Sequence, residues 1–278
     1  MIKKLHRLGF DVVDGCQLKC IGCPNSTFSN KISFISLKDF RRCLENIDVG
    51  YVTHIRLFNF GEPLLHPNLV DLVTEIPKQK WWRKTSHLEI STNGQYRDFT
   101  KVTDLFKTGE LSRFVVSCDG NGTKEDYERI RPPAKWDVLL DFLKTVKDIR
   151  DKYSPDVKLI TRTICVINEE QERWNELLLS RGWTPEFRGW IYLPGIKPHP
   201  PITNRRCSFV KNSFSGITFN VNSEGLVVPC CAHPRADILG DLKKDRYNDI
   251  LKSKVYKEFD KRLKTDRVNH PVCGDCIF

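Results

Sequence analysis

The feature that most limits this chain's fold is a strand–helix alternation running from its start to about residue 192. Six strand-like stretches, at 8–13, 52–59, 87–91, 113–117, 157–163 and 186–192, are rich in β-branched and aromatic residues. Amphipathic stretches separate them. One places Leu37, Phe40, Leu44 and Ile47 on a single face, with Ser36 and Asp39 as a capping-box-like start. Another uses Leu69, Leu72, Val73 and Ile76, and the longest aligns Val138, Phe142, Val146 and Ile149. Strands separated by helical crossovers lie parallel. The expected fold class is α/β: a partial (β/α)6 TIM-like barrel, then a small C-terminal module of a β-hairpin plus a helix.

The boundary is expected at Pro194-Gly195-Ile196-Lys197-Pro198-His199-Pro200-Pro201, a run that cannot continue a helix or a central strand. It divides the chain into modules at 1–193 and 202–278. The second has a hairpin at 216–220 and 226–228, turning through Asn222-Ser223-Glu224-Gly225, and a polar helix over 247–263.

No apolar run approaches the roughly 18 residues of a membrane span. The basic start, Lys3-Lys4-Leu5-His6-Arg7, has no apolar segment after it and is not a secretory signal. A cytoplasmic location is expected, where clustered cysteines bind metal or do redox chemistry rather than form disulfides. The chain has 11 cysteines. Most form two groups: Cys16, Cys20 and Cys23, then Cys207, Cys230, Cys231, Cys273 and Cys276. The net charge of +10 would suit an anionic partner. Lys and acidic residues interleave through the helical stretches, however, so the excess reads mostly as solvated surface. No RNA-binding motif accompanies it, and nucleic acid is not an expected partner.

Cys16-Gln17-Leu18-Lys19-Cys20-Ile21-Gly22-Cys23 follows the first strand directly. Three thiolates on one loop can hold three irons of a [4Fe–4S] cluster and leave the fourth open to a ligand, whereas four ligands close the cluster. A structural zinc is the alternative, although zinc sites usually come as CxxC pairs. Further short segments follow in order: Gly61-Glu62-Pro63, Thr92-Asn93-Gly94 and Ser117-Cys118-Asp119-Gly120. Each lies at the C-terminal end of an expected strand, where parallel β/α barrels assemble their sites.

With these segments the chain resembles the radical S-adenosylmethionine (SAM) superfamily. The resemblance implies SAM bound to the open iron and cleaved reductively to methionine and a 5′-deoxyadenosyl radical that abstracts hydrogen from substrate. It implies that Glu62 accepts from the SAM ammonium and that Gly61 leaves room for close backbone approach. Asn93, Ser117 and Asp119 would meet ribose hydroxyls, and Arg129 or Arg131 the SAM carboxylate. A reductant such as flavodoxin or ferredoxin is the implied protein partner. Phe60 and Gly22 depart from the family pattern, which often has glycine and an aromatic at these places; neither removes a cluster ligand.

The second cysteine group resembles the twitch module, a shortened relative of the SPASM domain. The likeness runs through Asn222-Ser223-Glu224-Gly225-Leu226-Val227-Val228-Pro229-Cys230-Cys231 and Leu239-Gly240-Asp241-Leu242. It implies one auxiliary [4Fe–4S] cluster held by Cys207, Cys230, Cys273 and Cys276, with Cys231 as the alternative to Cys230 and zinc as the alternative to iron. A closed auxiliary cluster suits electron transfer and so an oxidative outcome.

Cys118 and Cys165 are candidates for hydrogen-atom donation; their bland reading is as small buried hydrophobes. His66 and His233 are further candidates. Cys43 reads as structural, and Trp81-Trp82 as packing or a partner patch. The leading function is oxidative, dehydrogenase-like modification of a small molecule, since in size and module order the chain resembles the family's aminocyclitol dehydrogenases. Modification of a ribosomally made peptide or protein, by epimerisation or cross-linking, is second. RNA modification and a non-enzymatic metal-binding nucleic-acid module follow.

Overall fold

Side-chain alternation along the strands separates a helix-covered apolar face from a charged face, and this division places the site. The structure, a computed structural model, describes residues 3–26, 31–165, 167–189, 204, 206–233 and 236–277. Its strands are β1 (Lys4–Phe10), β2 (Val13–Asp14), β3 (Ser33–Phe34), β4 (Tyr51–Arg56), β5 (His87–Thr92), β6 (Arg113–Ser117), β7 (Lys158–Ile164), β8 (Thr184–Arg188), β9 (Thr218–Val221), β10 (Leu226–Val228) and β11 (Gly240–Asp241). One nine-stranded sheet has the order β11-β10-β9-β1-β4-β5-β6-β7-β8, and β2 and β3 form a separate ribbon. The run from β9 through β1 to β8 is parallel; β10 and β11 are antiparallel.

The helices are α1 (Leu37–Glu45), α2 (Leu69–Glu75), α3 (Thr100–Lys107), α4 (Lys124–Ile130), α5 (Trp136–Tyr153), α6 (Asn168–Leu179), α7 (Ser208–Phe214), α8 (Tyr247–Lys252) and α9 (Lys254–Thr265). Ser36 caps α1, accepting from Asp39 N at 3.0 Å.

Three expectations change in detail. The first strand ends at Phe10 rather than Val13, because its pairing with β4 and β9 stops there. Val12 and Val13 are buried beyond it, at the entry to the β2–β3 ribbon. The helix expected over 247–263 is two helices. Ser253 adopts an extended conformation that ends α8, and its hydroxyl caps α9 by accepting from Tyr256 N at 3.1 Å. The C-terminal hairpin joins the main sheet: β9 pairs parallel with β1, from Arg7 opposite Thr218 to Phe10 opposite Val221. The expected boundary at 194–201 and the end of the sixth expected strand lie outside the described residues.

On the helix-covered face, Leu8, Ile55, Leu88, Phe114 and Val116 join Phe106, Leu139 and Phe142 in the core. Burying each such side chain contributes on the order of 1.5–3 kcal/mol. Trp81 belongs to this packing, donating from Nε1 to Leu44 O at 3.1 Å, with Trp82 against the core and Cys43 buried in it.

Charged side chains from neighbouring strands meet away from this core. Glu89 is fully buried, with Arg162 Nη2 at 3.2 Å, Arg113 Nη1 at 3.5 Å and Arg56 Nε at 3.7 Å. Glu186 joins through Arg162 at 3.3 Å and Arg113. Among the described residues no helix is long and apolar enough to cross a membrane.

Candidate active site

The loop carrying Cys16, Cys20 and Cys23 is pinned at both sides. Glu62 N donates to Gly15 O at 3.0 Å, Lys19 N to Pro132 O at 2.7 Å and Ile21 N to Ile130 O at 2.8 Å. Ser26 Oγ closes its end by donating to Cys20 O at 2.8 Å. The three cysteines thereby line one cavity with Gly61, Glu62, Asn93, Ser117, Asp119 and Arg131. Arg129 is not among them; it is exposed and pairs with Asp126, because it leaves α4 on the solvent side.

Burial pushes all three thiols up, Cys16 to about 11, so without a metal they keep their protons at neutral pH. A cluster must displace those protons.

Glu62 is buried, and burial pushes it up to about 7 against its hydrogen bonds. Its Oε1 accepts from Thr92 Oγ1 at 2.7 Å and Leu64 N at 3.0 Å, and its Oε2 accepts from Asn93 N at 2.7 Å. Oε2 therefore retains accepting capacity. Asn93 also braces the cysteine loop, with Nδ2 3.5 Å from Cys16 Sγ and Oδ1 accepting from Gln17 Nε2 at 3.3 Å.

Gly61 is small for a different reason than expected: a β-carbon there would collide with the Val13 carbonyl, so the close approach is to the chain itself. Asp119 and Arg131, expected as separate contacts, pair with each other. Asp119 Oδ1 also accepts from Ile164 N at 3.0 Å, while buried Arg131 Nε has no partner.

Several candidates face elsewhere. Cys118 is fully buried in the core. Cys165 approaches Glu170 Oε2 at 3.4 Å and Ile167 O at 3.6 Å, away from the cavity. His66 packs internally, its Nε2 2.9 Å from Ile35 O and its Nδ1 accepting from Asn68 N at 3.1 Å.

One participant was missed from sequence. Asp11 accepts from Phe60 N at 3.0 Å and Gly61 N at 3.3 Å, fixing the loop before Glu62; burial pushes it up to about 7. Its signal was a lone carboxylate within Phe10-Asp11-Val12-Val13. Cys231, expected as the alternative auxiliary ligand, lines the cavity of Cys16, Cys20 and Cys23.

A second cavity is lined by Cys207, Cys230, Cys273 and Cys276, with His233 also in its wall. Arg267, 1% exposed, donates to the carbonyls of Cys273 and Cys276. His270 Nδ1 accepts from Cys273 N at 3.0 Å, so both cysteines of the CxxC are held through their backbone. Among the described residues no three His, Cys, Asp or Glu side chains converge as a single-ion site. The thiols instead ring two cavities. The first suits a three-ligand cluster with an open iron, with acceptor and donor groups in the same cavity. The second suits a closed four-ligand cluster.

A model of the radical SAM superfamily matches residues 10–179, and one of the SPASM iron–sulfur cluster-binding domain matches 214–277. The chain is 28% identical over 142 residues to a GTP 3′,8-cyclase of Sinorhizobium medicae (strain WSM419). That match covers 50% of this chain and only 38% of the cyclase. Among solved structures, BtrN in complex with AdoMet and 2-DOIA is similar at a TM-score of 0.62 and 17% identity, over 100% of this chain and 95% of BtrN. anSMEcpe with bound AdoMet is similar at 0.62 and 15%, over 97% and 89%. Streptococcus suis SuiB bound to S-adenosylmethionine is similar at 0.59 and 13%, over 96% and 69%. These likenesses establish a shared partial-barrel fold.

Proposed function

The chain belongs to the radical SAM superfamily and carries a SPASM-type iron–sulfur module, and from that premise we propose that it oxidises a small-molecule substrate in a dehydrogenase-like reaction. When bound, SAM and its cluster supply a 5′-deoxyadenosyl radical that takes hydrogen from an unactivated C–H bond. Cys16, Cys20 and Cys23 would hold that cluster. Glu62 Oε2 would accept from the SAM ammonium, Arg131 would hold its carboxylate, and Ser117 and Asn93 would meet the ribose. Asp119 orients Arg131 rather than binding ribose itself.

The observation that carries the oxidative reading is the pair of cavities: one holds the Cys16–Cys20–Cys23 loop with Cys231 also in its wall, and the other gathers Cys207, Cys230, Cys273 and Cys276. Cys207, Cys230, Cys273 and Cys276 would close an auxiliary cluster, leaving it no position for substrate and suiting it to accept an electron. A small ligand is supported by the fold-level likeness to BtrN, whose complex holds AdoMet and 2-DOIA.

Anaerobic reconstitution with iron and sulfide, then dithionite and SAM, tests the reading. 5′-Deoxyadenosine and about eight irons per chain are expected. No 5′-deoxyadenosine above the protein-free background would remove the radical reading, and about four irons would remove the auxiliary cluster.

A further inference from the structure

A third cavity shares Phe58, Asn59 and Cys231 with the cavity of Cys16, Cys20 and Cys23. Its wall also carries Arg7, Arg56, Thr218 and Asn220. These side chains come together through the pairing of β1 with β4 on one side and β9 on the other. Gly9 makes room for them: a β-carbon there would lie 2.8 Å from Asn220 Oδ1.

The donors are unmet. Asn220 and Thr218 are 9% and 7% exposed, and Asn220 Nδ2 and Thr218 Oγ1 have no hydrogen-bond partner. A buried donor left unpaired costs about 1–3 kcal/mol. Arg7 makes no ion pair among the described residues. Arg56 has Glu89 at 3.7 Å, but Arg113 and Arg162 share that carboxylate. Arg56, Arg113, Arg162 and Arg188 share the two carboxylates of Glu89 and Glu186, four guanidiniums on two acids, and Arg7 pairs with neither among the described residues. Burial first, then Arg7, Arg162 and Arg188, push Arg56 down to about 10 against the pull of Glu89. Asp11 also lines the cavity, but its oxygens are turned onto Phe60 N and Gly61 N.

We propose that this cavity is the substrate subsite and that it takes an anionic group, carboxylate or phosphate, of a small-molecule substrate. Arg7 and Arg56 supply charge and forked donors, and Asn220 Nδ2 and Thr218 Oγ1 supply neutral donors. The shared wall sets the remainder of the substrate beside the SAM cavity. The assignment as substrate subsite rests on the radical SAM reading above, whereas anion binding can be measured without turnover.

The test is calorimetric titration of the reconstituted full-length holoprotein, at constant ionic strength, with orthophosphate, malonate and, as neutral control, glycerol. One anion should saturate a single site per chain and glycerol should not. Arg7→Gln and Asn220→Leu should each weaken that binding at least tenfold, and so should Arg56→Gln if it folds without its ion pair. Tighter orthophosphate binding identifies a phosphate group, and tighter malonate binding a carboxylate. No saturable binding of either anion, or unchanged affinity in Arg7→Gln and Asn220→Leu, overturns the proposal. 5′-Deoxyadenosine from the same wild-type preparation separates the two readings. Cleavage without anion binding sinks the anion subsite alone; anion binding without cleavage keeps the anion site and sinks the reading it rests on.

Discussion

Cys230 and Cys231 are adjacent in sequence yet line different cavities: Cys230 joins Cys207, Cys273 and Cys276, and Cys231 joins Cys16, Cys20 and Cys23. The proposed function would therefore assign Cys230 to the auxiliary cluster and Cys231 to the wall of the SAM cavity. Cys230→Ala should lower reconstituted iron from about eight to about four per chain, whereas Cys231→Ala should keep about eight. Iron and sulfide analysis with low-temperature EPR of both variants checks this. Equal iron loss in the two would mean that Cys231 ligates the auxiliary cluster.

Gly61 abuts the Val13 carbonyl, with its amide held by Asp11. Backbone lies on the opposing side and cannot rotate away as a side chain can. Gly61→Ala should therefore destabilise the protein by at least about 1–3 kcal/mol, the usual range for overpacking. It should also displace Glu62. Denaturant titration reads the first effect and equilibrium SAM binding the second. A variant matching wild type in both would show that the loop yields easily.

Glu89 gives the protein an acid limb. Burial alone would raise this carboxyl, but His54 and the Arg56 and Arg162 guanidiniums outweigh burial and hold it down to about 2. A carboxylate lowered on folding stabilises fully above its unfolded value, near 4.5, and loses that contribution as pH falls toward 2. The contribution is on the order of 3 kcal/mol. Thermal melts between pH 6 and pH 3 should show a fall concentrated below 4.5. Glu89→Gln should lower Tm at pH 6, because it leaves the guanidiniums uncompensated, and should flatten the acid limb.

What could be read from sequence divides by range. The strand at 113–117 and the cap at Ser36 came out at the residues expected, because Arg-Phe-Val-Val-Ser and Ser-x-x-Asp signal locally. The Cys16–Cys20–Cys23 spacing is equally local and already implied a three-ligand site. Partners far apart in sequence were not legible. Arg7 meets Thr218 only because β9 returns to pair with β1, which periodicity does not encode. The arginines at 56, 113 and 162 were read within the net charge as solvated surface, but strand alternation turns them onto the face opposite the core. Val12 and Val13 looked like a continuation of the first strand because they are apolar; Val12 is buried in the link after β1, and Val13 is buried while pairing in β2 instead.

Arg131 and Asp119 provide the last prediction. Both are largely buried and pair with each other, while the Arg131 Nε is left over. Asp119→Ala strands a buried guanidinium and should cost about 3–5 kcal/mol. Arg131→Ala strands the carboxylate, which can take up a proton, and should cost less. The double variant removes both charges and should be more stable than the sum of the single losses implies, with coupling above about 0.5 kcal/mol. Arg129→Ala, on the exposed side of α4, should stay within about 0.5 kcal/mol of wild type. SAM affinity separates the two arginines further: Arg131→Ala should weaken it and Arg129→Ala should not. Weakened SAM binding in Arg129→Ala alone would reassign the carboxylate contact.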